Sequence, residues 1–210
     1  MTAESEKTNV VKKIVVFFDI CSSTAILEDL VKTENQKLWR DLLIELKDYL
    51  RANRSSMGFE LYKFLGDGWI LLFDPRPDGL GMFEFLEALS ERFLSLYRRH
   101  IKHVLTVSIP LVGITSGMDI GSCIRFVMNQ QQEYTGRPLN VAARLQSTVG
   151  QRGGKPSNKT LVSNNLYATF SDKKKIQRKY KVWRVTRVLK NISGGDSYRC
   201  MKVERKGPGR

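Results

Sequence analysis

The sequence predicts an α+β fold on a βαββαβ core, a mixed and largely antiparallel sheet with its helices on one face. Three observations carry that prediction. Short apolar runs such as "KKIVVFFDI" (12–20) and "WILLFD" (69–74) have strand length and strand composition. Two longer stretches repeat their apolar residues at helical spacing. The segments follow one another as strand, helix, strand, strand, helix, strand.

The first strand ends at Asp19, and "CSST" after it supplies hydroxyls suited to a helix start. A helical region then runs from about Thr24 to Asn53, with Leu38, Leu42, Leu46 and Leu50 on one stripe and Leu43 widening it. "FELYKFL" (59–65) and "WILLFD" flank Gly66, Asp67 and Gly68 as a hairpin, because Asp-Gly tolerates the backbone of tight turns. "PRPDG" is a loop, and 82–100 is a second amphipathic helix. "VLTVSIPLVGITSG" (104–117) and "SCIRFVM" (122–128) read as a further pair of strands. "RPLNVAARLQSTV" (137–149) opens with proline near its first turn and continues as a helix. Segments 160–163, 180–189 and 197–203 are later strands, and 151–158 is a loop. No internal repeat or long linker divides the chain, so 12–203 reads as one domain between a polar extension (1–11) and a basic tail (204–210).

Composition sets limits on function. The 210 residues are 41% hydrophobic and 27% charged, which is globular, and the longest apolar runs are strand-sized, which excludes a membrane span. The polar, acid-bearing start is not a signal peptide, and Cys21, Cys123 and Cys200 give neither a disulfide framework nor zinc spacing, which fits a reducing cytoplasm. His100 and His103 near a helix end read as surface residues. The net charge of +14 attracts polyanions, nucleic acid or a nucleoside triphosphate. Much of the excess lies in 171–181 and 204–210, which read as solvated charge runs, and no helix-turn-helix or RNP-type pattern supports nucleic acid.

Asp67 at the hairpin tip has a plain reading as turn chemistry. In a βαββαβ unit, however, the end of the first strand lies beside the tip of the central hairpin, which brings Asp19 to Asp67. Two adjacent carboxylates repel unless a proton or cation lies between them. Mg²⁺ or Mn²⁺ on carboxylate oxygens, with room left for substrate phosphates, resolves the conflict.

In this order the segments resemble the catalytic domain of class III nucleotidyl cyclases over about residues 12–203. "FFDICSST" is similar to the first metal motif, with Asp19 as ligand and Ile20 offering a carbonyl. "KFLGDGWILLF" resembles the second, with Asp67 as the other ligand and Lys63 at the base-reading position. "GITSG" (113–117) resembles the family's central strand. "EYTGRPLNVAARL" (133–145) places Glu133 at the second base-reading position and Asn140 and Arg144 at the transition-state pair. "VLKNIS" (188–193) resembles the late segment whose lysine, here Lys190, binds the triphosphate. The resemblance implies a ferredoxin-like core, two divalent ions (Mn²⁺ or Mg²⁺) and a site shared across a homodimer. One subunit would supply the metal carboxylates and the other Lys63, Glu133, Asn140, Arg144 and Lys190. The backbone N–H groups from Cys21 to Thr24, with Ser23 and Thr24 among them, suit a phosphate at a helix start.

The base stays open on residue types alone, because Lys63 and Glu133 offer one donor and one acceptor and every base presents both. Glu133 is one methylene longer than the acid of the usual adenylate pattern. Tyr62 and Trp69 add bulk near the hairpin, although strand alternation puts Tyr62 opposite Lys63, and such aromatics also serve as core. The compact build resembles the pyrimidine cyclases of bacterial Pycsar anti-phage systems, which implies cyclic UMP or cyclic CMP and a downstream effector. The preferred substrate is UTP. A stand-alone adenylate cyclase is the alternative enzyme, and a non-catalytic basic nucleotide- or nucleic-acid-binding module the alternative of another class.

Overall fold

A computed structural model describes residues 9–150 and 158–206. In chain order the elements are β1 (Asn9–Ile20), α1 (Ser23–Lys32), α2 (Gln36–Met57), β2 (Phe59–Phe64), β3 (Gly68–Phe73), α3 (Gly79–His100) and β4 (Ile114–Met128). They continue as β5 (Gln131–Thr135), α4 (Arg137–Ser147), β6 (Lys159–Ser163), α5 (Asn164–Thr169), α6 (Lys173–Lys179), β7 (Tyr180–Arg187) and β8 (Tyr198–Arg205). The strands form one sheet in the order β2-β3-β1-β4-β6-β8-β7, with β5 paired to β4. Only β4 and β6 run parallel; every other pair is antiparallel. The expected βαββαβ core is the β2-β3-β1-β4 half of this sheet.

Strand alternation sorts β1 onto two faces. Ile14, Val16, Phe18 and Ile20 bury against Leu42, Leu46 and Leu50 of α2 and Leu89, Phe93 and Leu96 of α3. Val15 and Phe17 point the other way, towards Ala142 and Leu139 of α4. Helices therefore cover both faces, not one as the element order suggested. Gly117 makes the second layer possible. A Cβ there would lie 2.1 Å from the Ala142 carbonyl oxygen and 2.3 Å from the Gln146 nitrogen, so only glycine lets α4 rest on β4.

Other expectations need correction. The long helix over 24–53 is two helices, broken where Glu34 takes a left-handed φ of 59° and Thr33 closes α1 through its hydroxyl on Asp29 O. Residues 104–113 are not a strand; buried Asp29 instead accepts from the Thr106 backbone N–H (2.8 Å) and hydroxyl. β4 is a single strand across the two runs expected to pair, because Ile114–Arg125 lie opposite β1 without interruption.

The basic run 171–181 holds α6, and it is not merely solvated. Asp172 accepts from the first amides of α3 at Gly79 and Leu80, and Lys179 reaches Glu84 and Glu87. Glu204 and Arg205 belong to β8 rather than to a tail, and Arg205 pairs with Glu87 and Glu91. β1 begins at Asn9, inside the expected extension. The loop expected over 151–158 lies outside the described residues except Asn158, and so do most of the extension and the tail.

Candidate functional site

The β2–β3 turn is built against the end of β1. Asp19 pairs with Gly68 across the ladder, and Ile20 N–H donates to the Asp67 carbonyl at 3.2 Å. Gly68 has to be glycine: a Cβ would meet the Phe18 carbonyl oxygen at 2.1 Å. That close approach sets the Asp19 and Asp67 carboxyls beside one another, near enough to act on each other's charge. Burial, and then the Asp67 carboxylate beside it, push the Asp19 carboxyl up to about 7. Ser23 Oγ donates to Asp67 Oδ2, and Gln146 Nε2 donates to Asp19 Oδ2 (3.3 Å) and Thr115 Oγ1 (2.9 Å). A cavity of about 330 Å³ opens beside them, lined by Asp19, Ser22, Thr115 and Gln146 among others.

These residues fit a divalent cation. The donors are all oxygen, as Mg²⁺ and Mn²⁺ require, and the two carboxylates share a space where neutrality has to come from a proton or a metal. No group of three or more His, Cys, Asp or Glu residues forms a metal cluster among the described residues, so protein ligation would rest on two acids plus backbone. A stability prediction follows from the sign of the shift. A folded-state value raised from 3.8 to about 7 means that the metal-free fold is favoured below pH 4 by the Asp19 proton and loses that contribution as pH rises to 7. The melting temperature of metal-free protein is expected to drop between pH 4 and pH 7 by more in the native protein than in Asp19→Asn. Added Mn²⁺ at pH 7.5 should restore it in the native protein only. Equal pH profiles for the two proteins would contradict the pairing.

Lys63 and Glu133, the residues expected to read the base, meet at the opposite edge of the hairpin. Lys63 Nζ lies 3.0 Å from Glu133 Oε2 and 3.2 Å from Oε1, and the Tyr62 hydroxyl donates to the same Glu133 Oε2. Strict alternation would put Tyr62 on the other face. The β2–β3 register slips between Leu61 and Lys63, and this bulge turns Tyr62 and Lys63 to the same side. The Tyr62 ring packs edge-on against Tyr134, and burial followed by the Glu133 hydrogen bond raises its hydroxyl to about 12. Hydrogen bonds from Tyr62 and then Lys63 hold the Glu133 carboxyl below its usual range. Trp69 is not part of this group. It is 2% exposed and stacks on Phe18 in the core beneath α1–α3, so the expectation that it crowds the base fails.

Asn140 and Arg144 lie one turn apart on the exposed side of α4. Their side chains make no hydrogen bond or ion pair among the described residues, and Arg144 makes none with Asp19 or Asp67 of its own chain. Lys190 is exposed in the β7–β8 connection, which Arg137 of α4 ties down through Ser193 O at 3.1 Å. Ser23 is buried with its hydroxyl on Asp67, and Thr24 is exposed on the first turn of α1. The Cys21 amide is not open to a phosphate, since it donates to Gly113 O at 2.9 Å. Sequence reasoning missed Gln146. It continues the buried stripe of Ala142 by one helical turn, and a polar side chain at such a position calls for a buried partner.

No known protein-family profile matches the chain, and no curated protein matches it. Solved structures do. The adenylyl cyclase CyaB from P. aeruginosa shares 21% identity and a TM-score of 0.68 over 96% of this chain and 97% of that one. The guanylyl cyclase Cya2 shares 16% identity and a TM-score of 0.62, covering 96% of each chain. A bacterial light-regulated adenylyl cyclase shares 17% identity and a TM-score of 0.62 over 95% of this chain, which spans only about half (52%) of that protein. The chain thus has the fold of adenylyl and guanylyl cyclase catalytic domains. Among its described residues no helix is long and apolar enough to cross a membrane.

Proposed function

We propose that the protein is a nucleotidyl cyclase that converts UTP to 3′,5′-cyclic UMP and pyrophosphate at a site shared across a homodimer. The observation that carries this reading is the juxtaposition of Asp19 and Asp67, formed where the end of the first strand meets the tip of the central hairpin. The ribose 3′-oxygen attacks the α-phosphorus, its proton leaves to solvent, and the bond to the pyrophosphate oxygen breaks. Asp19 and Asp67, with the Ile20 carbonyl, would hold two divalent ions, which when bound acidify the 3′-hydroxyl and neutralise triphosphate charge. Gln146 fixes the Asp19 carboxylate from α4. Arg144 of the second subunit meets the charge that grows on the α-phosphate oxygens, a task for its planar fork of donors. Asn140 orients the ribose for an intramolecular attack in which geometry dominates the rate. Lys190 and the open amides at the start of α1 hold the triphosphate tail.

The base reading rests on the Tyr62–Glu133–Lys63 group. Lys63 donates to uracil O4, and Glu133 accepts from N3–H. Lys63 is half exposed while the Glu133 side chain is largely buried, so the lysine can swing from the acid to a uracil edge at small cost and leave Glu133 held by Tyr62. Tyr62, turned inward by the bulge and fixed to Glu133, occupies space that a bicyclic purine would need. Purified protein given ATP, GTP, CTP and UTP in equal mixture with Mn²⁺ is expected to yield mainly cyclic UMP by mass. Tyr62→Ala should raise purine turnover about tenfold relative to uridylate, the scale of a cavity-size effect. Dominant cyclic AMP from the native protein would overturn the pyrimidine reading and leave the Asp19–Asp67 argument standing. A role for cyclic UMP as a second messenger that activates an anti-phage effector rests on the resemblance alone.

A further inference from the structure

A second cavity, of about 580 Å³, lies under the first turn of α4. Asp119 of β4, Arg137 and Pro138 of α4, Asn164 of α5, and Tyr198 and Arg199 of β8 are among its walls. It shares no residue with the cavity beside Asp19. Asp119 pairs with Val15 across the ladder and Thr115 pairs with Asp19, so the two acids stand four residues apart along the strands, about 13 Å. Asp119 is 4% exposed, and its Oδ1 has no hydrogen-bond partner. A buried carboxylate oxygen without a partner costs stability, and such costs persist where a ligand completes the group. Burial raises the Asp119 carboxyl, opposed by the Ser163 hydroxyl beside it, by the Ile120 backbone N–H and by Arg137. At the mouth, Arg137 and Arg199 are both exposed cations, and Arg137 donates to the Ser193 carbonyl.

We propose that this cavity is a second ligand-binding site, distinct from the substrate site, for a small molecule with N–H donors at one end and an anion at the other. The N–H end enters to Asp119 Oδ1, and the anion stays at the mouth on Arg137 and Arg199. The volume lies within the range of small-molecule pockets. Two sources supply this chemistry: a nucleotide, through a base N–H and a phosphate, and a free amino acid, through its ammonium and carboxylate.

The full chain tests it by thermal melting and titration calorimetry. One arm uses the four nucleoside 5′-monophosphates and cyclic UMP; the other uses the twenty standard L-amino acids. A probe from either arm should raise the melting temperature of the native protein and lose that effect in Asp119→Asn. Without any probe, Asp119→Asn should melt at least as high as the native protein, because burial disfavours the carboxylate that the substitution removes. If Asp119→Asn fails to fold, Arg199→Ala on the exposed rim decides, with an expected affinity loss of about tenfold for one charge-assisted bond. No shift from either arm overturns the proposal, and so does a shift that survives Asp119→Asn or Arg199→Ala; the cavity would then hold water alone.

Discussion

Asp19→Ala and Asp67→Ala are each expected to lower turnover by more than about a thousandfold while leaving the fold intact. The loss of a single transition-state donor already costs about 10²–10³ in rate. Here each substitution removes half of the acidic pair, and with it the proposed means of holding cations against a triphosphate. The fold survives because the pair contributes no apolar packing and its carboxylates oppose one another. Burial and then that opposition raise the Asp19 carboxyl to about 7, so relieving them should keep the metal-free variants at least as heat-stable as the native protein. Pyrophosphate release with saturating Mn²⁺, together with circular dichroism, checks both halves. A well-folded Asp67→Ala protein with substantial activity would remove the two acids from the mechanism.

Mixing two inactive variants is expected to restore activity. Asp67→Ala spoils the metal end and Arg144→Ala the transition-state end, and in the proposed dimer a site takes these ends from different subunits. Arg144 is exposed on α4 and so is open to a second copy in the proposed dimer. In a freely exchanging mixture about half the dimers carry one of each variant, and one of their two sites is whole. Recovery should therefore approach about a quarter of native activity. Coexpression with two different affinity tags isolates the mixed dimer and removes any dependence on exchange. Verified mixed dimers that stay inactive would show that each site is built within one chain.

Much of this was legible before any coordinates. Short apolar runs and helical stripes fixed the order of the core elements, since burial demands a period of two in strands and 3.6 in helices. The meeting of Asp19 and Asp67 followed from topology, because a βαββαβ unit leaves its first strand end beside its hairpin tip. Long-range pairing was harder to read. Nothing local says that 104–113 is held to α1 by Asp29, or that the lysines of 171–181 find acids on α3. Those contacts depend on groups about 75 and 95 residues away in the chain.

The sequence by itself nominated the residues proposed to carry chemistry: the two acids, the Lys63 and Glu133 pair, and the Asn140 and Arg144 pair on one helix face. Tertiary structure alone decided how they are presented. A one-residue bulge in β2 turned Tyr62 to the side of Lys63, against the alternation that an unbroken strand imposes, while Trp69 went into the core. Gly117 let α4 settle on the second face of the sheet, which brought Gln146 to Asp19. The physical reason is the same in each case. Side-chain direction follows from backbone register, and register is set by close packing between segments far apart in the chain, where a slip of one residue reverses a face.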